Sequence, residues 1–172
     1  WLICGPSQSG KTSLTLALML EKWGWLSDEM VMLSESEPTR MLGFPRNFNL
    51  KENSFHRFPE TAGLPHAREL FSTYRNMLVR FFDPNDLVPG AWRNEAPLAG
   101  ILFPRFDPEA RSVRLTPQGG IAMAEGLLAE ITCWQPWGVP FLSRVCQTIP
   151  GYEVRFNNPR DIGQALAAGP AL

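Results

Sequence analysis

The chain is poor in the residues that build metal centres and cross-linked scaffolds. It has three cysteines (Cys4, Cys133, Cys146) and two histidines (His56, His66) in 172 residues. An odd cysteine count, at spacings that match no metal-ligand pattern, argues against a disulfide framework or a zinc site. Cys4 reads as packed within a strand. Both histidines sit in polar, proline-rich surroundings and read as surface or loop residues, with a role at an acceptor site as the alternative. Excess charge is missing too. The formal net charge is −1, so nothing suggests a nucleic-acid surface. No apolar run is long enough to span a bilayer and no secretory signal is present, which excludes a membrane partner of that kind and makes the reducing cytoplasm the expected setting. Repeats and low-complexity stretches are also lacking. What remains is 44% hydrophobic content, enough for one globular domain with a proper core over residues 1–172.

Against this plain background one segment stands out. Gly5-Pro6-Ser7-Gln8-Ser9-Gly10-Lys11-Thr12 matches the phosphate-cradling Walker A loop G-x-x-x-x-G-K-[ST] at every fixed position. Glycines at 5 and 10 let the backbone turn with positive φ, so that successive N–H groups face phosphate oxygens. Lys11 brings a point charge to the β- and γ-phosphates, and the Thr12 hydroxyl suits Mg²⁺. Ser13 completes the predicted nucleotide-binding set. The context fits: Trp1 to Cys4 reads as a buried strand, and Lys11 to Trp23 as a helix whose positive end would meet the phosphate. Leu14, Leu16, Ala17, Leu18, Leu20 and Trp23 give that helix an apolar stripe, and Gly24 is placed as its C-terminal cap. The expected ligand is ATP with Mg²⁺.

Trp25 to Leu33 follows as an apolar run broken by Asp28 and Glu29. Carboxylates within such a strand are costly to bury unless a cation offsets them. Lys11 and a metal on the neighbouring phosphates would do so. The alternative is a strand-entry loop with solvated acids; the apolar residues on both sides favour a functional pair.

A tight strand–loop–helix–acidic-strand unit of this kind resembles the C-terminal kinase core of the HPr kinase/phosphorylase family, which shares its nucleotide core with phosphoenolpyruvate carboxykinases. The resemblance is carried by the loop at 5–12, by Trp25-Leu26-Ser27-Asp28-Glu29, by Phe44-Pro45-Arg46 with Leu50-Lys51, and by Leu102-Phe103-Pro104-Arg105; it extends over residues 1–125. It implies an α/β fold with a mixed sheet and flanking helices. It also implies ATP-dependent transfer of a phosphoryl group to a hydroxyl on a protein, peptide or small molecule. Asp28 and Glu29 fall on the family's Asp-Asp pair, which serves metal binding and activation of the acceptor. Metal binding is thereby expected at Thr12 and Asp28. Glutamate at 29 departs from the pattern by one methylene and leaves open which acid is the base. The family's hexamers imply a homo-oligomer, although no interface is legible. Trp1 already lies inside the strand that must precede the loop, so shielding residues are expected upstream or on a partner.

Phosphoryl transfer needs charge neutralisation, in-line positioning and a carboxylate to orient the acceptor. Arg46 and Arg105 are the candidate cationic clamps, since each follows a Phe-Pro that fixes the backbone; a surface position is the alternative for both. Lys51 ranks below them. The rival to a kinase is a regulatory module that binds ATP or GDP and transfers nothing. A carboxykinase-like enzyme would need a larger chain and further metal ligands.

The remaining pattern predicts a turn at 34–39 leading into Arg40–Phe44, and a long mobile loop over Asn53 to Pro65, a lid or a plain insertion. A helix is predicted from Ala67 to Phe82 with Leu70, Phe71, Tyr74, Met77, Leu78 and Phe81 on one stripe. It ends at Asp83-Pro84-Asn85-Asp86. A buried strand is expected at 99–103 and a turn at 107–111. A helix capped by Thr116, with Pro117 at its first position, is expected to reach Trp134. Tyr152 to Phe156 alternates like an edge strand, and a short terminal helix runs from Ile162 to Ala168.

Overall fold

Leu2–Ile3 (β1) lies parallel to Ile101–Phe106 (β8), which in turn lies parallel to Gly151–Phe156 (β10); Arg114–Gln118 (β9) closes this sheet antiparallel to β10. The computed structural model describes residues 1–34, 36–37, 39–131 and 138–169. Its architecture is mixed α/β. Parallel strands need cover on both faces, and they have it. Leu102, Val154 and Phe156 pack with Leu14, Leu16 and Leu18 of α1 (Lys11–Leu20) and with Ile162 and Leu166 of α5 (Ile162–Ala168). On the opposite face Ile101 and Phe103 meet Met123 and Leu127 of α3 (Gly120–Leu128) and Phe141, Leu142 and Val145 of α4 (Gly138–Thr148). Cys4 belongs to this second core, where burial and the nearby Glu130 push its thiol up to about 11. It is an inert packing thiol. Cys133 lies outside the described residues.

Two antiparallel sheets flank this body. Met32–Leu33 (β2), Arg40–Leu42 (β3) and Glu95–Pro97 (β7) form one, in the order β2-β3-β7. The expected turn joins β2 to β3; its Glu35 and Pro38 lie outside the described residues. Phe48–Lys51 (β4), Arg68–Ser72 (β5) and Met77–Phe82 (β6) form the other, in the order β4-β6-β5. Pro84–Leu87 (α2) follows, capped by the Asp83 carboxylate, which accepts the Asn85 N–H.

Several expectations change. The helix predicted over Ala67 to Phe82 is the β5–β6 hairpin. Its reversal lies at Thr73–Asn76, where Asn76 takes a left-handed φ of 50°. The apparent helical stripe is not core: Leu70 and Phe71 are each 57% exposed and Tyr74 is 94% exposed. Burial falls instead on Val79, Arg80 and Phe82. The stretch 53–65 is not a slack loop either. It folds into 3₁₀ turns at Glu52–Arg57 and Pro59–Thr61, anchored by fully buried Phe58 and Thr61. Arg80, only 8% exposed, donates to Thr61 Oγ1 at 2.7 Å, bonds Glu69 and stacks over Phe55. A guanidinium so nearly buried needs such partners.

Thr116 and Pro117 do not start a helix. They belong to β9, where a proline is tolerated because β9 is an edge strand; α3 begins at Gly120, and the predicted end at Trp134 lies outside the described residues. The expected edge strand at 152–156 is interior, between β8 and β9. Gly24 is not the cap of α1. Lys22 adopts a φ of 67°, Lys22 N–H bonds Met19 O and Trp23 N–H bonds Leu18 O, the Schellman pattern. The terminal helix stands as expected. No helix among the described residues is long and apolar enough to cross a membrane.

Candidate functional site

The glycine loop joins β1 to α1, and its shape follows from two contacts. Gly10 has a φ of 103°, and a Cβ there would come within 2.5 Å of the Phe156 ring. Only glycine combines that conformation with that approach. Gln8 is also left-handed, with a φ of 70°. No side chain caps α1 and its first turn has no acid, so the N–H groups of its first turn lack intrahelical partners. Ser9 Oγ is buried with no partner. Lys11 Nζ bonds the carbonyl oxygens of Gly5 and Pro6, the latter at 2.9 Å. The lysine thus folds along the loop's own backbone.

The acid pair lies on a bend, not in the strand predicted over 25–33. Trp25 bridges Trp92, with Trp25 N–H bonded to Ala91 O, and β2 forms only at Met32. Between them the chain turns at Ser27, whose hydroxyl accepts the Met30 N–H at 3.4 Å. On this bend Glu29 stays exposed while Asp28 is half-buried. Thr12 Oγ1 donates to Asp28 Oδ2 at 3.4 Å, and Asp28 Oδ1 is buried without a partner. Burial is the chief reason that the Asp28 carboxyl is raised to about 6, with Glu29 adding to it; the Thr12 hydroxyl, the Asn49 backbone N–H and Lys11 act in the opposite direction.

The structure brings Arg46 to this cluster in a particular way: its Nη1 donates to Glu29 Oε2 at 2.8 Å. Arg105 is elsewhere. Alternation along β8 puts it on the face of Phe103, and its charged neighbour is Glu153 at 3.8 Å. Three residues that the motif reading passed over or ranked low join the site from the β4–β6–β5 sheet. Asn49 donates its Nδ2 to Glu29 at 3.4 Å, and its backbone N–H lies near enough to Asp28 to favour the ionised carboxylate. Lys51 Nζ reaches Ser7 Oγ at 3.3 Å, and Arg75 lies near enough for its charge to bear on Lys51. Asn49 and Arg75 belong to no recognisable motif, so no sequence signal marks them; Leu50-Lys51 offered a weak one.

Beside the acids opens a cleft of about 390 Å³, lined among others by Lys11, Thr15, Trp25, Ser27, Asp28 and Glu29. Among the described residues no group of three His, Cys, Asp or Glu side chains could hold a metal ion. A divalent ion here would depend on Thr12, Asp28 and ligand oxygens. The donor set fits such an ion: a hydroxyl next to a carboxylate with one orphaned, buried oxygen is hard-oxygen chemistry. No family model, no curated protein and no solved structure matches the chain.

Proposed function

We propose that the protein is an ATP-dependent phosphotransferase of the HPr kinase-related type, with a P-loop core, moving a γ-phosphoryl group to a hydroxyl acceptor. One observation carries the reading: Asp28 sits against Thr12 at the start of α1, half-buried, with an unpartnered oxygen and a raised pKa. A carboxylate poised near neutrality beside an anion-ready helix end suits a general base in phosphoryl transfer. The loop's backbone donors and Lys11 would hold the triphosphate. Thr12 and Asp28 would hold Mg²⁺, which supplies charge neutralisation when bound. The acceptor hydroxyl, entering by the cleft, gives its proton to a carboxylate as its oxygen forms the new P–O bond; the bond to the β-phosphate oxygen breaks and ADP leaves. Asn49, bonded to Glu29 and with its backbone N–H beside Asp28, positions the pair.

A second reading has its own support. Arg46 already neutralises Glu29 at 2.8 Å, so one of the two acids is committed to an ion pair. A nucleotide-binding regulatory module needs no free base and would tolerate that arrangement. ³¹P NMR of the protein with Mg²⁺-ATP and a pool of serine, seryl peptides and sugars separates the two. A phosphomonoester signal growing with ADP, absent in Lys11→Ala, is the expected result. ATP bound but not consumed would establish the regulatory module, and failure of the wild-type protein to bind ATP would remove both.

A further inference from the structure

The two arginines singled out by the motif reading are held by acids, whereas two other cations near the loop are not. Arg46 pairs with Glu29 and Arg105 with Glu153. Among the described residues neither Lys51 nor Arg75 has a carboxylate ion pair. Their placement follows from strand register. Phe48 pairs with Phe82 and Lys51 with Val79, so β4 runs toward the β5–β6 reversal and Lys51 is its residue nearest that turn. Glu52 Oε2 accepts the Leu78 N–H at 3.0 Å and ties the two strands together there. Arg75 is fixed within the reversal by bonds from its N–H to Ser72 O and Ser72 Oγ. Lys51 Nζ then extends to Ser7 Oγ on the outer part of the glycine loop at 3.3 Å.

Lys51, Arg75 and Lys11 therefore lie close enough for their charges to act on one another, with Asp28 and Glu29 as the nearby acids and no ion pair to Lys51 or Arg75 among the described residues. Burial lowers the Lys51 ammonium pKa, and the positive charges of Arg75 and Lys11 lower it further, against a smaller pull upward from Asp28 and Glu29. Like charges held together in this way call for an anion to neutralise them. The loop's N–H groups and the first turn of α1 suit the inner phosphates. Ser7 is exposed in the loop ahead of the first residue of α1, so a cation bonded to it stands outside the helix's first turn.

We propose that Lys51 and Arg75 bind the terminal phosphate of a nucleoside triphosphate at the rim of the glycine loop, so that the β4–β6–β5 sheet tells a triphosphate from a diphosphate. This rests on the reading of the loop as a phosphate site. Both residues are binding groups for the γ-phosphate, one a point charge and the other a planar fork suited to two phosphate oxygens.

Titration calorimetry of the full chain with Mg²⁺-ATP and Mg²⁺-ADP tests it. Arg75→Ala and Lys51→Ala each lose about tenfold or more in ATP affinity, a change of some 1.4 kcal/mol, while ADP affinity stays within twofold. Arg75→Lys recovers part of the ATP loss. Lys11→Ala loses affinity for both nucleotides. If Arg75→Ala and Lys51→Ala leave ATP affinity unchanged, or weaken ATP and ADP alike, the assignment is wrong while the loop reading stands. If wild-type protein binds neither nucleotide, or Lys11→Ala binds both as well as wild type, the loop reading fails and this inference falls with it.

Discussion

The two sheets that meet at the glycine loop contribute different kinds of group. The β1-β8-β10-β9 sheet is covered on both faces and delivers backbone: a loop threaded between β1 and α1, shaped by Gly10 against Phe156, and a bare helix end. The β4-β6-β5 sheet is antiparallel, leaves Leu70, Phe71 and Tyr74 exposed, and delivers side chains: Asn49 to the acids, Lys51 to Ser7, and Arg75 beside Lys51. Backbone donors are rigid and indifferent to which phosphate they hold. Long side chains from a second sheet can be selective, because they add charge only where the ligand extends beyond the loop. The two sheets meet in one core, where Phe48 of β4 belongs to the same buried cluster as Leu14 and Leu16 of α1 and Leu102 and Phe156 of the parallel sheet, its ring 5.5 Å from Trp25 and 5.4 Å from its strand neighbour Phe82.

Disrupting that core gives the largest effect. Phe48 is fully buried, and truncating a buried phenylalanine typically costs about 3–5 kcal/mol, part lost transfer energy and part cavity. Phe48→Ala is therefore expected to lose about that much in urea unfolding. Trp25 leads directly into the bend that holds Asp28, so tryptophan emission shifts as well. A loss below about 1 kcal/mol would mean that the two sheets are not coupled through the core around Phe48.

How much of this was legible in the sequence follows the same division. The loop, β1 and the start of α1 could be read because glycines and a Gly-Lys-Thr triplet have few other uses at that spacing, whereas the acids expected within a strand lie on a bend. The terminal helix was legible from its turn chemistry. The β5–β6 hairpin was not: Leu70, Phe71, Tyr74, Met77, Leu78 and Phe81 keep a helical spacing, while the reversal at Asn76 offers no glycine or proline to announce it. Thr116-Pro117 looks like a helix start, because an edge strand and a first helical turn tolerate proline for the same reason, an N–H that needs no partner. α4 carries Phe141, Leu142 and Val145, with Ile149 just past its end, at helical spacing, a signal that Pro140 in its first turn obscures. Arg75 and Asn49 reach the site only through pairing between distant strands, which local pattern does not encode.

A middle-sized effect comes from Asp28, where the two regions touch. Its carboxyl is raised from 3.8 to about 6, so the folded protein holds a proton that the unfolded chain has released. Stability from this group is fully present below pH 3.8 and is lost as pH rises through 6. Asp28→Asn removes that loss. Relative to wild type, the ligand-free variant is expected to gain on the order of 1 kcal/mol between pH 4 and pH 7, within a ceiling set by 1.36 kcal/mol per pKa unit. Urea titrations at the two pH values read the difference directly; a gap between variant and wild type that does not change with pH would return Asp28 to an ordinary surface carboxylate. In the transfer assay the same substitution abolishes turnover yet keeps nucleotide binding, if Asp28 is the base.

The smallest effect belongs to Arg105, and it sharpens the contrast by its smallness. Arg46 and Arg105 share the Phe-Pro-Arg pattern, yet strand alternation sends Arg105 to the α3 face of β8, where it is 64% exposed beside Glu153 at 3.8 Å. Such exposed pairs contribute about 0–1 kcal/mol. Arg105→Ala is expected to leave the unfolding midpoint and both nucleotide affinities nearly unchanged, and to slow transfer by less than tenfold, about 1.4 kcal/mol of barrier. A larger slowing would require the β8 end to swing toward the loop when nucleotide binds, and would make the parallel sheet a donor of side chains after all. Arg46 differs because its guanidinium is already committed to Glu29. Removing it frees an acid rather than a phosphate ligand, so its loss should register first as altered dependence on Mg²⁺ and only second as weaker ATP binding.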